Sequence, residues 1–141
     1  MLNTIAPAAH LTIGRLDYEA MLAQLQAAYP LEACGLMGGV NGRVQRLYPV
    51  ENIRQSPVEY EMDALQQVRS LLAIEAEGWQ LVAIYHSHPA GPPTPSPTDL
   101  ALAYYPDALQ VIVSLQDRER PTARAFALDE GQVREVPIWI V

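Results

Sequence analysis

The segment "WQLVAIYHSHP", residues 79–89, constrains the fold more than any other part of the chain. It is almost continuously apolar as far as Tyr85, and two histidines follow at once. Apolar residues at successive positions are typical of a strand inside a sheet that is covered on both faces. The segment therefore predicts a central strand of a layered domain, with both histidines at its carboxyl end.

Two other segments have the spacing of apolar residues that favours amphipathic helices. Residues 17–30 predict a helix that has Asp17 as candidate N-cap and that ends at Pro30. Residues 63–78 predict a second helix, with Asp63 as candidate N-cap. The apolar positions that its spacing places on one face are Leu65, Val68, Leu71 and Leu72.

Shorter apolar or alternating runs predict the other strands, and Asn41-Gly42 favours a tight hairpin between two of them. The length of 141 residues fits one domain, which we expect to span residues 1–141. The pattern predicts an α+β layered fold with a central mixed sheet and two or three flanking helices. The predicted strands are 10–16, 32–39, 42–52, 57–63, 79–89, 108–117 and one or two more within 122–141.

The charge and the cysteine content exclude several classes of function. A formal net charge of −7, with no basic run, argues against a nucleic-acid partner. No segment has the apolar length of a membrane span, and the first residues lack the basic and apolar regions of a signal peptide. Cys34 is the only cysteine, so we expect no disulfide within the chain and a cytoplasmic location. The sequence leaves the oligomeric state open.

The two histidines and an aspartate form a possible metal site. His86 and His88 are two residues apart on a strand and therefore face the same side. Asp99 would lie in the first turn of a helix capped by Ser96, beyond a proline-rich loop. Two imidazoles and one carboxylate can bind a zinc ion and leave a fourth position open, which is typical of catalytic sites. Taken singly, these residues also fit plain roles, as polar strand residues, a helix-start carboxylate and a rigid connector.

Hydrolysis at such a site also needs a general base. Glu32 is a candidate, because it stands at the head of the apolar run 32–39. A carboxylate there can equally lie at the exposed edge of the strand, and the residue type alone favours that position.

Taken together, these residues resemble the JAMM motif of the JAB/MPN metalloproteases. That motif is an upstream glutamate followed by H-x-H-x(7)-S-x-x-D, and this sequence matches it at every position. The run "EACGLMGG" is similar to the glutamate strand of the family, and the resemblance covers about residues 18–128. It implies a JAB/MPN-type, cytidine-deaminase-like fold of the prokaryotic stand-alone branch. The matching residues are Glu32, His86, His88, Ser96 and Asp99.

The resemblance also implies a role for each residue. Glu32 would deprotonate the attacking water and then protonate the leaving amine. Ser96 would hydrogen-bond the oxyanion or position the substrate carbonyl, and Met62 would border the substrate cleft. One zinc ion per chain would be held by His86, His88 and Asp99.

The substrate that the resemblance implies is a peptide or isopeptide bond that follows the C-terminal Gly-Gly of a ubiquitin-like protein. A short stand-alone domain is similar to enzymes that act on ubiquitin-like sulfur carriers. One alternative is a catalytically silent MPN scaffold, although such modules typically lose ligands. A non-haem iron enzyme also uses two histidines and a carboxylate, but in another order along the chain.

Overall fold

The computed structural model describes residues 7–101, 103–129 and 131–141. These residues form an eight-stranded mixed sheet and three helices, which confirms the predicted α+β class. In chain order the elements are β1 (Leu11–Ile13), α1 (Arg15–Ala28), β2 (Cys34–Val40), β3 (Arg43–Val50), α2 (Ala64–Ala76), β4 (Gln80–His88), α3 (Pro97–Ala101), β5 (Leu109–Ser114), β6 (Thr122–Asp129), β7 (Gln132–Val136) and β8 (Ile138–Ile140).

The strand that carries the histidines, β4, lies inside the sheet, as the sequence predicts. The strand order is β7-β6-β5-β4-β2-β3-β1-β8. β4 pairs with β2 in antiparallel and with β5 in parallel orientation. The parallel pair brings the carboxyl ends of β4 and β5 to the same edge of the fold. The hairpin between β2 and β3 turns at Asn41 and Gly42, both with positive φ, as predicted.

The sheet is strongly curled. β7 and β8 lie at its two ends, yet only Pro137 separates them in the chain. One intervening residue spans about 7 Å at most, so the two edges must approach each other. The Pro137 carbonyl accepts a hydrogen bond from the Leu11 amide at 2.9 Å and so links this crossing to β1. The expectation of one or two strands after residue 122 is therefore wrong, because the chain forms three.

Each face of the sheet has its own hydrophobic core. On one face, Met21 and Leu25 of α1 pack in a cluster with Tyr85 of β4. On the other face, Ile74 of α2 packs in a cluster with Ile84 of β4. The continuous apolar run of β4 is thus buried from both sides. No helix among the described residues has the length and apolar character to cross a bilayer.

The helix boundaries differ in part from the prediction. α1 begins at Arg15 with Gly14 in the N-cap position, so Asp17 lies in the first turn and does not cap the helix. Asp63 caps α2 as predicted, because its carboxylate accepts a hydrogen bond from the Gln66 amide at 3.0 Å.

The apolar face assigned to α2 is wrong in most positions. Leu65, Val68 and Leu72 are 58%, 51% and 60% exposed, whereas Ile74 is fully buried. The spacing of the three leucine and valine positions is helical, but a different side of the helix lies on the sheet.

The predicted strand 57–63 is wrong. The segment before α2 is a loop, which we call the 52–62 loop. Only the isolated bridge between Asn52 and Met62 is strand-like there. Backbone groups of this loop bind the Asn52 side chain instead of a neighbouring strand.

Candidate metal centre and active site

The two histidines of β4 point to one spot. Their Nε2 atoms are 3.0 Å apart. The His88 Nδ1 atom lies 2.8 Å from the carbonyl oxygen of Pro92, in the proline-rich loop. Because a carbonyl only accepts, Nδ1 carries the hydrogen and Nε2 of the neutral ring keeps a free lone pair. The loop thereby fixes the tautomer that a metal ligand requires.

Asp99 meets both histidines from the start of α3. Its Oδ1 lies 3.2 Å from Nε2 of His86, and its Oδ2 lies 3.0 Å from Nε2 of His88. Ser96 holds this carboxylate in place: its amide donates to Asp99 Oδ2 at 2.9 Å, and its hydroxyl accepts from the Asp99 amide at 3.0 Å. This reciprocal pair is a capping box, so the local sequence of α3 positions Asp99.

The electrostatics of the three groups are coupled. Burial works against ionisation of Asp99, but hydrogen bonds from His86 and His88 outweigh it and hold the pKa of the carboxyl far below its usual range. Burial lowers the pKa of His86. For His88, burial is outweighed by the hydrogen bonds to Asp99 and Pro92, and its pKa is raised. The Asp99 carboxylate therefore favours the protonated form of His88 in the metal-free protein.

The donor set fits a divalent metal ion. One ligand atom from each of His86, His88 and Asp99 lies within 4.8 Å of the others. Two of these residues are buried, and two nitrogens with one carboxylate oxygen are donors that suit zinc and related ions. Nδ1 of His86 is buried and has no hydrogen-bond partner among the described residues, whereas its Nε2 faces the cluster, 3.2 Å from Asp99 Oδ1.

Glu32 is buried, not exposed at a strand edge. Its side chain is 4% exposed and precedes β2. Burial raises the pKa of its carboxyl to about 7; the smaller effect of His88 lowers this pKa, and that of Asp99 raises it. Its Oε1 has no hydrogen-bond partner in the part of the chain that the structure describes. The expected exposed position is wrong, because the 52–62 loop binds the Glu32 backbone and β4 binds the backbone of the adjacent Ala33.

This arrangement can be compared with known proteins. A model of the prokaryotic homologues of the JAB domain matches residues 17–129. The chain belongs to this prokaryotic JAB family. The CysO-cysteine peptidase of Mycobacterium tuberculosis is 39% identical over 124 residues, which cover 86% of this chain and 85% of that protein. The desampylase of Haloferax volcanii is 38% identical over 112 residues, which cover 77% and 79%.

Solved structures show the same fold. A protein from Desulfitobacterium hafniense, solved in solution, superposes with a TM-score of 0.83 at 35% identity and covers 93% of this chain and 92% of its own. A JAB1/MPN domain protein from Archaeoglobus fulgidus superposes with a TM-score of 0.61 at 19% identity, over 92% and 99%. The JAB/MPN fold predicted from the sequence is thus confirmed. The family is metal-dependent, in agreement with the His-His-Asp cluster.

A cleft of about 470 Å³ opens beside the His86, His88 and Asp99 cluster of this JAB domain. Met62 lines it from the 52–62 loop although it is 9% exposed, so the residue borders the cleft and also belongs to the core. Arg54 on the same loop also lines the cleft and forms an ion pair with Glu61 at 2.9 Å. From the other side the cleft is lined by Gln67 of α2, Thr98, Asp99, Tyr105 and Gln110.

Three contacts around the JAB site lie outside the sequence motif. The Ser87 hydroxyl, to which the sequence assigned no role, accepts a hydrogen bond from the Ala33 amide at 3.0 Å. The Tyr60 ring packs against the His86 ring, with centroids 4.6 Å apart and planes inclined by 32°. Cys34 is buried, its thiol donates to the Val50 carbonyl at 3.4 Å, and burial raises its pKa to about 12. Cys34 is therefore a packing residue.

Proposed function

We propose that this JAB domain hydrolyses a peptide or isopeptide bond that follows the C-terminal Gly-Gly of a ubiquitin-like, sulfur-carrier-type protein. The observation that carries the proposal is the buried Glu32 carboxyl, whose Oε1 has no hydrogen-bond partner among the described residues, next to a cluster of two histidines and one aspartate. The names of the relatives support the substrate class, since one is a CysO-cysteine peptidase and another a desampylase.

The resident metal in this proposal is one zinc ion per chain, held by Nε2 of His86, Nε2 of His88 and the Asp99 carboxylate. When bound, zinc supplies Lewis acidity toward the scissile carbonyl and lowers the pKa of the attacking water. The alternative of an iron centre uses a similar donor set, so the identity of the metal rests on elemental analysis.

Glu32 is the proposed general base and acid. Its pKa, raised by burial to about 7, suits a group that must accept and return a proton near neutral pH. The carboxylate takes a proton from the attacking water while the water oxygen bonds to the carbonyl carbon. It then gives that proton to the amine nitrogen as the C–N bond breaks. The products are a carrier with a free terminal carboxylate and an amine.

Ser96 is proposed to stabilise the negative charge on the carbonyl oxygen. Its hydroxyl oxygen already accepts a hydrogen bond from the Asp99 amide, but the hydroxyl hydrogen stays available for donation. A donor that is fixed before the reaction needs little reorganisation when charge develops. Met62, at the border of the cleft, is the proposed contact for the carrier tail. The cytoplasm remains the proposed compartment, since Cys34 is a free thiol.

The test is cleavage of defined adducts. A ubiquitin-like carrier that ends in Gly-Gly is joined either to one amino acid through its α-amine or to a lysine side chain of a peptide. Both adducts are incubated with zinc-loaded protein and followed by intact mass. Release after Gly-Gly that stops with chelator and returns with zinc supports the proposal. Tight binding of the carrier without cleavage would instead indicate a silent scaffold.

A further inference from the structure

The side chain of Asn52 makes four hydrogen bonds at the base of the 52–62 loop. Its Nδ2 donates to the backbone carbonyls of Glu32 at 3.0 Å and Glu59 at 3.2 Å. Its Oδ1 accepts from the backbone amides of Arg54 and Glu61, both at 3.0 Å. A carboxamide has two N–H donors and two acceptor lone pairs, so its full capacity is used. Aspartate has the same shape but no donors, so the two carbonyls require asparagine.

Both backbone polar groups of Glu32 are held by this loop. The Glu32 carbonyl accepts from Asn52, and the Glu32 amide donates to the carbonyl of Ser56 at 2.8 Å. Oε1 of the Glu32 carboxyl has no hydrogen-bond partner among the described residues. The direction of the carboxyl therefore depends on its backbone, and the backbone depends on the loop.

Asn52 also holds the part of the 52–62 loop that carries Tyr60. Its bonds to the Glu59 carbonyl and the Glu61 amide bracket Tyr60 on both sides. The half-buried ring of Tyr60 packs on His86, a candidate metal ligand. One side chain thus connects the segment that carries the proposed base with the segment that covers a proposed ligand.

We propose that Asn52 is a positioning residue for the reaction. It holds the Glu32 backbone and the 52–62 loop together as one unit, so that the Glu32 carboxyl points to the reacting centre. The inference rests on the proposed hydrolysis. A displacement of about 1 Å at a reacting group can reduce the rate by about 100-fold, so loss of this unit should act on kcat. Among the described residues, no hydrogen bond joins Asn52 to the candidate ligands His86, His88 and Asp99. We therefore expect the Asn52 variants to keep their metal.

The decisive variant is Asn52→Asp, which keeps both acceptors and replaces the donor with an oxygen that faces two carbonyls. We expect kcat to fall about tenfold or more while KM changes less than about threefold and zinc content stays at one per chain. A second readout needs no metal. In the metal-free protein, hydrogen exchange of the Glu32 amide should accelerate relative to that of the buried Leu115, whose amide donates to the His88 carbonyl.

The matched control is Gln66→Ala. The Gln66 side chain accepts from the Glu51 amide at 2.8 Å, next to Asn52, and no hydrogen bond among the described residues joins this side chain to Glu32. This variant should lose stability in urea melts and keep a wild-type kcat. Equal loss of kcat in both variants, in proportion to their loss of stability, would show a merely structural role and overturn the inference.

Two further outcomes separate this inference from the proposed function. If Glu32→Gln is inactive while Asn52→Asp turns over at the wild-type rate, positioning by Asn52 is wrong and the hydrolysis stands. If Glu32→Gln is fully active, the proposed mechanism is wrong independently of Asn52. Should Asn52→Asp fail to fold, Asn52→Ala removes the four bonds without adding charge and is judged by the same comparison with Gln66→Ala.

Discussion

The hydroxyl of Ser87 accepts a hydrogen bond from the backbone amide of Ala33 at 3.0 Å, and both residues are buried. Ser87 stands between the two candidate histidine ligands, and Ala33 follows the candidate base. This contact and the bond from the Ser87 amide to the Ala33 carbonyl, at 3.0 Å, join the two halves of the site, which are more than fifty residues apart in the sequence. Glu32 is therefore held on one side by the histidine strand and on the other by the 52–62 loop.

Replacing Ser87 with alanine should destabilise the fold, because the Ala33 amide would remain buried without its partner. An orphaned buried donor costs about 1–3 kcal/mol, which urea melts resolve. Ser70→Ala is the control: its hydroxyl donates to the Gln66 carbonyl within α2 at 2.9 Å, and its loss should cost less than about 0.5 kcal/mol. Similar losses in both variants would contradict the importance of the contact.

Glu32→Gln should retain zinc and the fold but lose turnover. The amide keeps the shape of the side chain and cannot accept the proton of the attacking water. General acid–base catalysis contributes about 10²–10⁴-fold, so single-turnover rates on a carrier adduct should fall by at least that range. Zinc content of the purified variant is the control. A wild-type rate would assign the base to another residue.

The ligand cluster could be predicted from the sequence because its geometry is local. The two-residue period of a strand places His86 and His88 on one face, and the capping box places Asp99 at the start of a helix. Neither requires knowledge of distant parts of the chain. The burial of Glu32 could not be predicted in this way. It depends on contacts of its segment with Ser56 and Ser87, which are distant in the sequence.

The errors in the prediction have the same origin. Leu65, Val68 and Leu72 have a helical spacing, but the curled sheet meets the side of α2 that carries Ile74. The alternating pattern of residues 57–63 resembles a strand, yet the Glu59 carbonyl and the Glu61 amide bind the Asn52 side chain and not a neighbouring strand. The periodicity of a segment shows which residues share a face. It does not show which face packs against the rest of the chain.

The stability of the metal-free protein should depend on pH through Glu32. The pKa of its carboxyl is raised from 4.5 to about 7 by burial, so the unfolded chain releases this proton first as pH rises. Its contribution is therefore fully present below about pH 4.5 and is lost as pH rises through about 7. Glu32→Gln removes this dependence, so the variant should gain stability relative to wild type from pH 5 to pH 8. Urea melts with chelator present test this, and a constant difference across that range would contradict it.

Metal affinity should increase with pH. In the metal-free protein Asp99 favours the protonated form of His88 and raises its pKa, so the metal must displace a proton. Competition with a chelator of known affinity should give tighter binding at pH 8 than at pH 6, at a stoichiometry of one zinc per chain. His88→Ala should lose most of the zinc. A full complement of zinc in that variant would rule out the His-His-Asp site.

The carrier tail should require glycine at its last position. The cleft beside the His-His-Asp cluster is bordered by Met62 and by the rings of Tyr60 and Tyr105, so an added methyl group on the tail would meet side chains that are already packed. In a close-fitting pocket one methyl group changes kcat/KM by about 10–200-fold. A carrier that ends in Gly-Ala should therefore be cleaved at least about tenfold more slowly than one that ends in Gly-Gly, as read by intact mass. A carrier with alanine several residues earlier, outside the reach of the cleft, is the control and should react at the wild-type rate. Equal rates for all three carriers, or comparable cleavage of unfolded proteins, would point to a general peptidase instead of an enzyme for ubiquitin-like tails.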